Sequence, residues 1–163
     1  MTARLADFRG VLRDACRRVY GERLVSLAVF GSWARGAATP TSDIDILLVA
    51  EPLPPSRRKR VAEFEAVETR TRDARLAIWA EYHTPSDLSP VIKTTAEVRA
   101  GAPLFLDMTR SCDILCDRDG FLTGYLGGLA DRLAELGAQR HTRKGGYFWQ
   151  YKSGMRPDEV ITL

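Results

Sequence analysis

Apolar residues in the first half of the chain follow two different spacings. Over residues 1–20 they recur at helical intervals, which predicts an amphipathic helix that ends near Gly21. The run Leu24–Phe30 is continuously apolar and predicts a buried strand, and a polar turn then leads into a second strand over Asp43–Val49. The chain therefore begins with a helix followed by two strands.

After the second strand, Ser56 is a suitable N-cap for a long helix that runs to about His83. A strand over Ala74–Tyr82 is the alternative, because apolar and less apolar residues alternate there. We favour the helix because Arg57–Arg72 is rich in good helix formers.

The second half predicts shorter elements. They are a strand at Leu88–Thr94, a short helix or extended segment at Leu104–Met108, a strand at Ile114–Cys116, a helix from Leu122 that Gly137 stops, and an aromatic strand at Tyr147–Tyr151. This order predicts a small mixed α/β sheet with helices mainly on one face. We expect residues 1–163 to form a single domain, in which the C-terminal helix and aromatic strand are an extension.

The candidate chemistry lies around the first two strands. Gly31 and Ser32 end the first strand, where exposed backbone amides and a hydroxyl could bind phosphate oxygens. Asp43 and Asp45 are two apart in the second strand, so their carboxylates share one face of the sheet. Such a pair suits a hard cation such as Mg²⁺ or Mn²⁺. The alternative is a plain hairpin in which the two acids are coincidental.

The run GSWARG followed by SDIDILLV resembles the signature of the DNA polymerase β-like nucleotidyltransferase superfamily, in its small, stand-alone prokaryotic form. The resemblance implies that Gly31 and Ser32 hold the triphosphate of a nucleotide, and that Asp43 and Asp45 bind the catalytic metal. It also extends the nucleotide site to the two other constrained positions of the run, Arg35 and Ser42. Arg35 could equally pair with a carboxylate at the sheet edge.

Many members of that superfamily carry a third carboxylate on a neighbouring strand, which here would be Leu88–Thr94. That segment contains no acid. The candidates lie outside it: Asp87, Glu97, Asp107, or Glu81 if that region were a strand. The sequence leaves the choice open.

Composition restricts the class of protein further. The net charge of +3 permits an anionic ligand without requiring nucleic acid. The three cysteines, Cys16, Cys112 and Cys116, lack zinc-site spacing and are expected to be reduced thiols. No apolar run has the length of a membrane span, and the N-terminus is unlike a signal peptide. We therefore expect a cytoplasmic protein.

Two basic segments have competing interpretations. Arg57–Arg60 is expected to be a solvated first helical turn, with phosphate contact as the alternative. In residues 140–152, basic residues stand beside aromatics, which suits a single-stranded nucleic-acid platform. A final amphipathic strand explains the same pattern and is preferred, with Tyr147, Trp149 and Tyr151 on one face and Phe148 on the other.

Two functions follow. The first is an Mg²⁺-dependent nucleotidyltransferase that moves a nucleoside monophosphate from an NTP, ATP being the expected one, to a hydroxyl acceptor on a protein, an RNA or a small molecule. The second is a non-catalytic module, an antitoxin-like or regulatory subunit that keeps the fold. A separate helical partner protein is compatible with either, because stand-alone relatives often work beside one.

Overall fold

A four-stranded mixed sheet organises the chain. The computed structural model describes residues 3–39, 41–82, 87–143 and 146–150. In chain order the elements are α1 (Ala3–Tyr20), β1 (Leu24–Phe30), α2 (Gly31–Ala34), β2 (Ile44–Ala50), α3 (Arg57–Tyr82), β3 (Leu88–Lys93), α4 (Thr95–Arg99), α5 (Pro103–Met108), β4 (Asp113–Asp117), α6 (Phe121–Glu135), β5 (Gln139–Arg143) and β6 (Gly146–Gln150).

The strands of the sheet lie in the order β3-β2-β1-β4. β1 is antiparallel to both of its neighbours, and β2 is parallel to β3, which contains Pro90 and lies at one edge. The register places Asp45 of β2 between Phe30, the last residue of β1, and Ser89 of β3. The end of β1 and the start of β2 therefore meet at one end of the sheet.

Helices cover both faces of this sheet. On the first face, α1 and α3 pack on the strands, and the buried core includes Leu12, Tyr20, Phe64, Val67, Ile44, Ile46 and Leu48. On the second face, α4, α5 and α6 pack on alternate strand residues, and the core includes Val98, Phe105, Met108, Leu122, Ala28, Leu47 and Val49. The predicted mixed α/β sheet is confirmed. The two longest helices, α1 and α3, share one face, as predicted. Three shorter helices also cover the second face.

Most predicted elements are present with small changes at their ends. The strand alternative for Ala74–Tyr82 is wrong, since this segment continues α3. The segment at Leu104–Met108 is helical, with Pro103 at the first turn of α5. Three short elements, α2, α4 and β5, were not predicted. Within the described ranges, no helix has both the length and the apolar character needed to cross a membrane.

The three cysteines are free thiols, as predicted. Cys16 is buried between α1 and the sheet. Burial, and then the nearby Cys116, raise the pKa of the Cys16 thiol to about 12. Cys16 therefore stays protonated at neutral pH and serves as a small apolar core residue.

The aromatic C-terminal segment forms a separate two-stranded hairpin of β5 and β6. Phe148 is 49% exposed and stacks on His141, with ring centroids 5.2 Å apart. Trp149 points the other way and packs against the core of the second face. The prediction of a strand with Phe148 and Trp149 on opposite faces is confirmed, whereas Tyr151 lies outside the described residues.

The basic run at the start of α3 is only partly solvated. Residues 57–59 are exposed, as predicted, but the Arg60 side chain is only 10% exposed. Its guanidinium donates hydrogen bonds to the Pro54 carbonyl at 2.6 Å and the Ile92 carbonyl at 3.3 Å, and it pairs with Glu97 at 2.7 Å. Arg60 therefore connects α3 to the ends of β2 and β3, and the prediction of a solvated side chain is wrong for this residue.

We predict that Arg60→Ala lowers the free energy of unfolding by about 1.5–3 kcal/mol, because partly buried acceptors lose a charged donor. Arg58→Ala, in the same run but exposed, should stay within about 0.5 kcal/mol of the wild type. Urea unfolding of the three proteins measures this. Equal losses in both variants would contradict the assignment of a connecting role to Arg60.

Candidate functional site

The site begins at the sharp turn after β1. Gly31 has φ of +70°, in the left-handed region that favours glycine. A Cβ on Gly31 would overlap Oδ2 of Asp45 and lie 3.0 Å from its Cγ. Two separate constraints, backbone conformation and lack of space, therefore require glycine here.

The turn continues directly into the single helical turn α2. The Arg35 amide donates to the Gly31 carbonyl at 3.3 Å, and the Ala37 amide donates to the Ser32 carbonyl at 2.9 Å. The first amides of a helix have no carbonyl partner within that helix, and α2 begins at Gly31, directly beside Asp45. The local geometry matches the predicted Gly-Ser loop.

A second turn brings the chain back to the same place. The Thr39 amide and hydroxyl lie 3.0 and 2.9 Å from the Ser42 Oγ, and the Ser42 amide donates to the Thr39 carbonyl at 3.0 Å. Trp33 Nε1 donates to the Ser42 carbonyl at 3.3 Å. Ser42 thus holds its own turn together and links it to α2.

The two aspartates lie side by side at the start of β2. Asp43 immediately precedes the strand and Asp45 is its second residue. Burial, and then the charge of Asp43, raise the pKa of Asp45 above its ordinary value, while Arg35 and a hydrogen bond from Ser89 act in the opposite direction. The half-buried Asp45 beside the exposed Asp43 is therefore a concentration of negative charge, which a cation would relieve.

One cavity of about 460 Å³ lies between the two turns and the aspartates. All six predicted site residues line it: Gly31, Ser32, Arg35, Ser42, Asp43 and Asp45. Its other wall comes from Phe30 and from Leu104, Asp107, Met108 and Ser111, in or just after α5. The volume is in the range of small-molecule sites in proteins.

The four candidates for a third carboxylate are separated by the fold. Asp87 pairs with Arg75 at 3.3 Å, and Glu97 is held in the Arg60 ion pair and the capping box of α4. Residue 81 lies in α3, so the strand on which Glu81 depended is absent from that segment. Asp107 is the candidate that lines the cavity.

Ser89 occupies the position across from Asp45 on the neighbouring strand β3. Sequence reasoning missed this residue, because a serine gives no signal until the register of β2 and β3 is known. It also missed Leu104, Met108 and Ser111, although their spacing with Asp107 follows one helical face and could have indicated a shared wall.

The two aspartates fit a divalent cation whose coordination is completed by water and a bound ligand. No group of three or more His, Cys, Asp or Glu side chains placed to hold a metal occurs among the described residues. Mg²⁺ commonly takes one or two carboxylates and fills its remaining positions with water and substrate phosphates. Asp43 and Asp45 could supply the protein ligands of such a site.

Comparison with known proteins identifies relatives of this chain. The family described as "Nucleotidyltransferase domain" matches residues 9–100, more than half of the chain. The "Putative protein adenylyltransferase MJ1305" of Methanocaldococcus jannaschii is 30% identical over 113 residues, which cover 68% of this chain and 71% of that protein. The residues matched by the family, 9–100, include both turns and both aspartates of the cavity.

Solved structures also resemble the chain. A toxin-antitoxin structure with AMP-PNP has a TM-score of 0.46 and 17% identity, and covers 78% of this chain and 90% of that one. The toxin-antitoxin MntA-HepT has a TM-score of 0.47 and 15% identity, covering 80% and 91%. A likeness at this level carries no argument about function.

We predict that Gly31→Ala is more destabilising than Gly36→Ala. Both positions have positive φ, +70° and +65°, but a Cβ at Gly36 meets nothing within 4 Å. Each substitution should cost about 1–2 kcal/mol for the left-handed backbone, and Gly31→Ala about 1–3 kcal/mol more for the overlap. Urea unfolding measures both. In an Asp45→Ala background the difference should largely disappear, and its persistence there would contradict the proposed overlap.

The raised pKa of Asp45 predicts a pH-dependent effect of removing its charge. The stability gained by protonating Asp45 is complete below the ordinary pKa of 3.8 and is lost as the pH rises through the raised folded pKa. Asp45→Asn should therefore be more stable than the wild type at about pH 7, and the difference should shrink toward about pH 4. Urea unfolding in EDTA tests this. Asp131→Asn, at an exposed position of α6, is the control and should show no such trend; a destabilised Asp45→Asn at neutral pH would refute the prediction.

Proposed function

Because the chain belongs to the nucleotidyltransferase domain family, we propose that it transfers AMP from ATP to a hydroxyl group of a protein. Family membership supports transfer of a nucleoside monophosphate. The choice of ATP and of a protein acceptor rests on the relative from Methanocaldococcus jannaschii, whose name describes a protein adenylyltransferase.

The observation that carries this proposal is the contact between the turn and the carboxylate. The missing Cβ of Gly31 lets backbone amides and the Asp45 carboxylate line the same space. A triphosphate placed there would accept hydrogen bonds from the amides and from the Ser32 hydroxyl. It would also lie near the Arg35 guanidinium, whose charge offsets that of the phosphates. Ser42 keeps the second turn in place.

A cation bound by the acidic pair would explain how an anionic nucleotide could enter a cavity that holds two aspartates. When bound, Mg²⁺ or Mn²⁺ held by Asp43 and Asp45 would neutralise phosphate charge and stabilise the charge that develops during transfer. Ser89 orients the Asp45 carboxylate through its hydrogen bond. The buried residues Ile44 and Ile46 hold the backbone on either side of Asp45.

The proposed transfer needs no reactant besides the nucleotide and the acceptor. The acceptor oxygen forms a bond to the α-phosphorus, and the bond from that phosphorus to the bridging oxygen breaks, which releases pyrophosphate. The acceptor hydroxyl gives up its proton to solvent. Positioning and electrostatic stabilisation supply most of the acceleration in reactions of this kind.

Labelled ATP tests the proposal directly. With Mg²⁺ and a lysate of the source cells, label at the α-phosphate of ATP should appear on a discrete protein band, whereas label at the γ-phosphate should not. Asp43→Asn should abolish the labelling by removing a metal ligand while leaving the fold intact. Asp131→Asn should label at the wild-type rate.

The distribution of label separates the acceptor classes. Label in nuclease-sensitive or small-molecule fractions would replace the protein acceptor with RNA or a metabolite and would keep the transfer reaction. Absence of labelling with all four nucleotides, together with association with one helical partner protein that Asp43→Asn leaves unchanged, would overturn the enzyme and favour the non-catalytic module.

A further inference from the structure

The wall of the cavity formed by α5 differs from the wall formed by the turn and the aspartates. Leu104 and Met108 are apolar, and Asp107 and Ser111 place two polar side chains among them. Apolar surface with a few convergent polar groups is typical of a wall that binds an organic ligand rather than a phosphate. The two walls face one cavity of about 460 Å³.

Asp107 is held in place from a distant part of the chain. Arg140 of β5 donates from Nε to Asp107 Oδ1 at 3.2 Å. The two side chains are only 19% and 21% exposed. A carboxylate in such surroundings is stabilised in its charged form when a cation pairs with it. Arg140 therefore holds the Asp107 carboxylate in place at the wall of the cavity.

A charged carboxylate in the cavity selects ligand groups by their chemistry. It accepts hydrogen bonds and donates none, and its two oxygens together offer about four acceptor sites. It repels phosphate, and it belongs to α5 and not to the Gly-Ser turn. Neighbouring hydroxyl groups, such as those of a ribose, are the matching donors.

We propose that Asp107 accepts hydrogen bonds from the ribose hydroxyls of the bound nucleotide, an inference that rests on the proposed function. Through these hydrogen bonds the protein selects ribonucleotides over deoxynucleotides. Arg140 is the positioning residue, because it acts on the sugar through Asp107. The hairpin of β5 and β6 thereby becomes part of the nucleotide site, although it is distant from the phosphate-binding turn in sequence.

Calorimetric titration of the full chain with Mg²⁺ and ATP, 2′-deoxyATP or 3′-deoxyATP tests this without an acceptor. The wild type should bind at least one deoxynucleotide about tenfold more weakly than ATP, the worth of one hydrogen bond to a charged group. Asp107→Asn should reduce that ratio several-fold. Arg140→Gln should reduce it as well, and Arg140→Lys, which keeps the charge, should restore most of it.

A second variant covers the case in which the single substitutions fold poorly. Asp107→Leu/Arg140→Met replaces the ion pair by apolar side chains of similar volume, a change that buried pairs often tolerate. It should bind inorganic tripolyphosphate with Mg²⁺ as the wild type does, yet bind ATP and the deoxynucleotides equally. Asp45→Asn should lose tripolyphosphate binding, and Asp131→Asn should keep every affinity.

Three outcomes would overturn the inference. One is equal binding of ATP and both deoxynucleotides by the wild type, which leaves the proposed function standing. Another is loss of transfer in Asp107→Asn with the nucleotide ratios intact, which would make Asp107 a base for the acceptor hydroxyl. A wild type that binds neither ATP nor tripolyphosphate overturns the proposed function and this inference together.

Discussion

Gly31 and Asp45 come so close together that no side chain larger than hydrogen fits at the turn. The approach is set by the sheet, because the antiparallel register places Phe30, the residue before the turn, directly beside Asp45. The fully buried Ile44 and Ile46 hold the strand on both sides. Packing energy from the first face of the sheet thus maintains a crowded, charged arrangement that would be unfavourable alone.

The two faces of the sheet have different tasks. The first face is covered by the long helices α1 and α3 and contains a large apolar core. Asp43 and Asp45 lie on the second face, where the cavity is bordered by the short helix α5. The candidate chemistry therefore lies on the face that α4, α5 and α6 cover. Arg140 adds a long-range contact at this end.

Local patterns in the sequence were sufficient for most of the elements, though not for α2, α4 and β5. They were also sufficient to bring the six candidate residues together, because the turn and the aspartates lie within one β1–turn–β2 unit. Ser89 and Arg60 could not be predicted in the same way. The position of Ser89 depends on the parallel register of β2 and β3, which are separated by the whole of α3. Arg60 lies in a run of four basic residues, and only the loops and strand ends around it determine that its side chain is buried.

Pro90 in β3 has a consequence for how molecules of this protein meet one another. Proline lacks an amide donor, so within sheets it is tolerated where that donor would otherwise face outward from an edge. β3 is such an edge, next to β2. An incoming extended segment would find its hydrogen-bond ladder interrupted in the middle of the strand. The same residue that the edge tolerates therefore protects the β3 edge of the sheet against the addition of further strands.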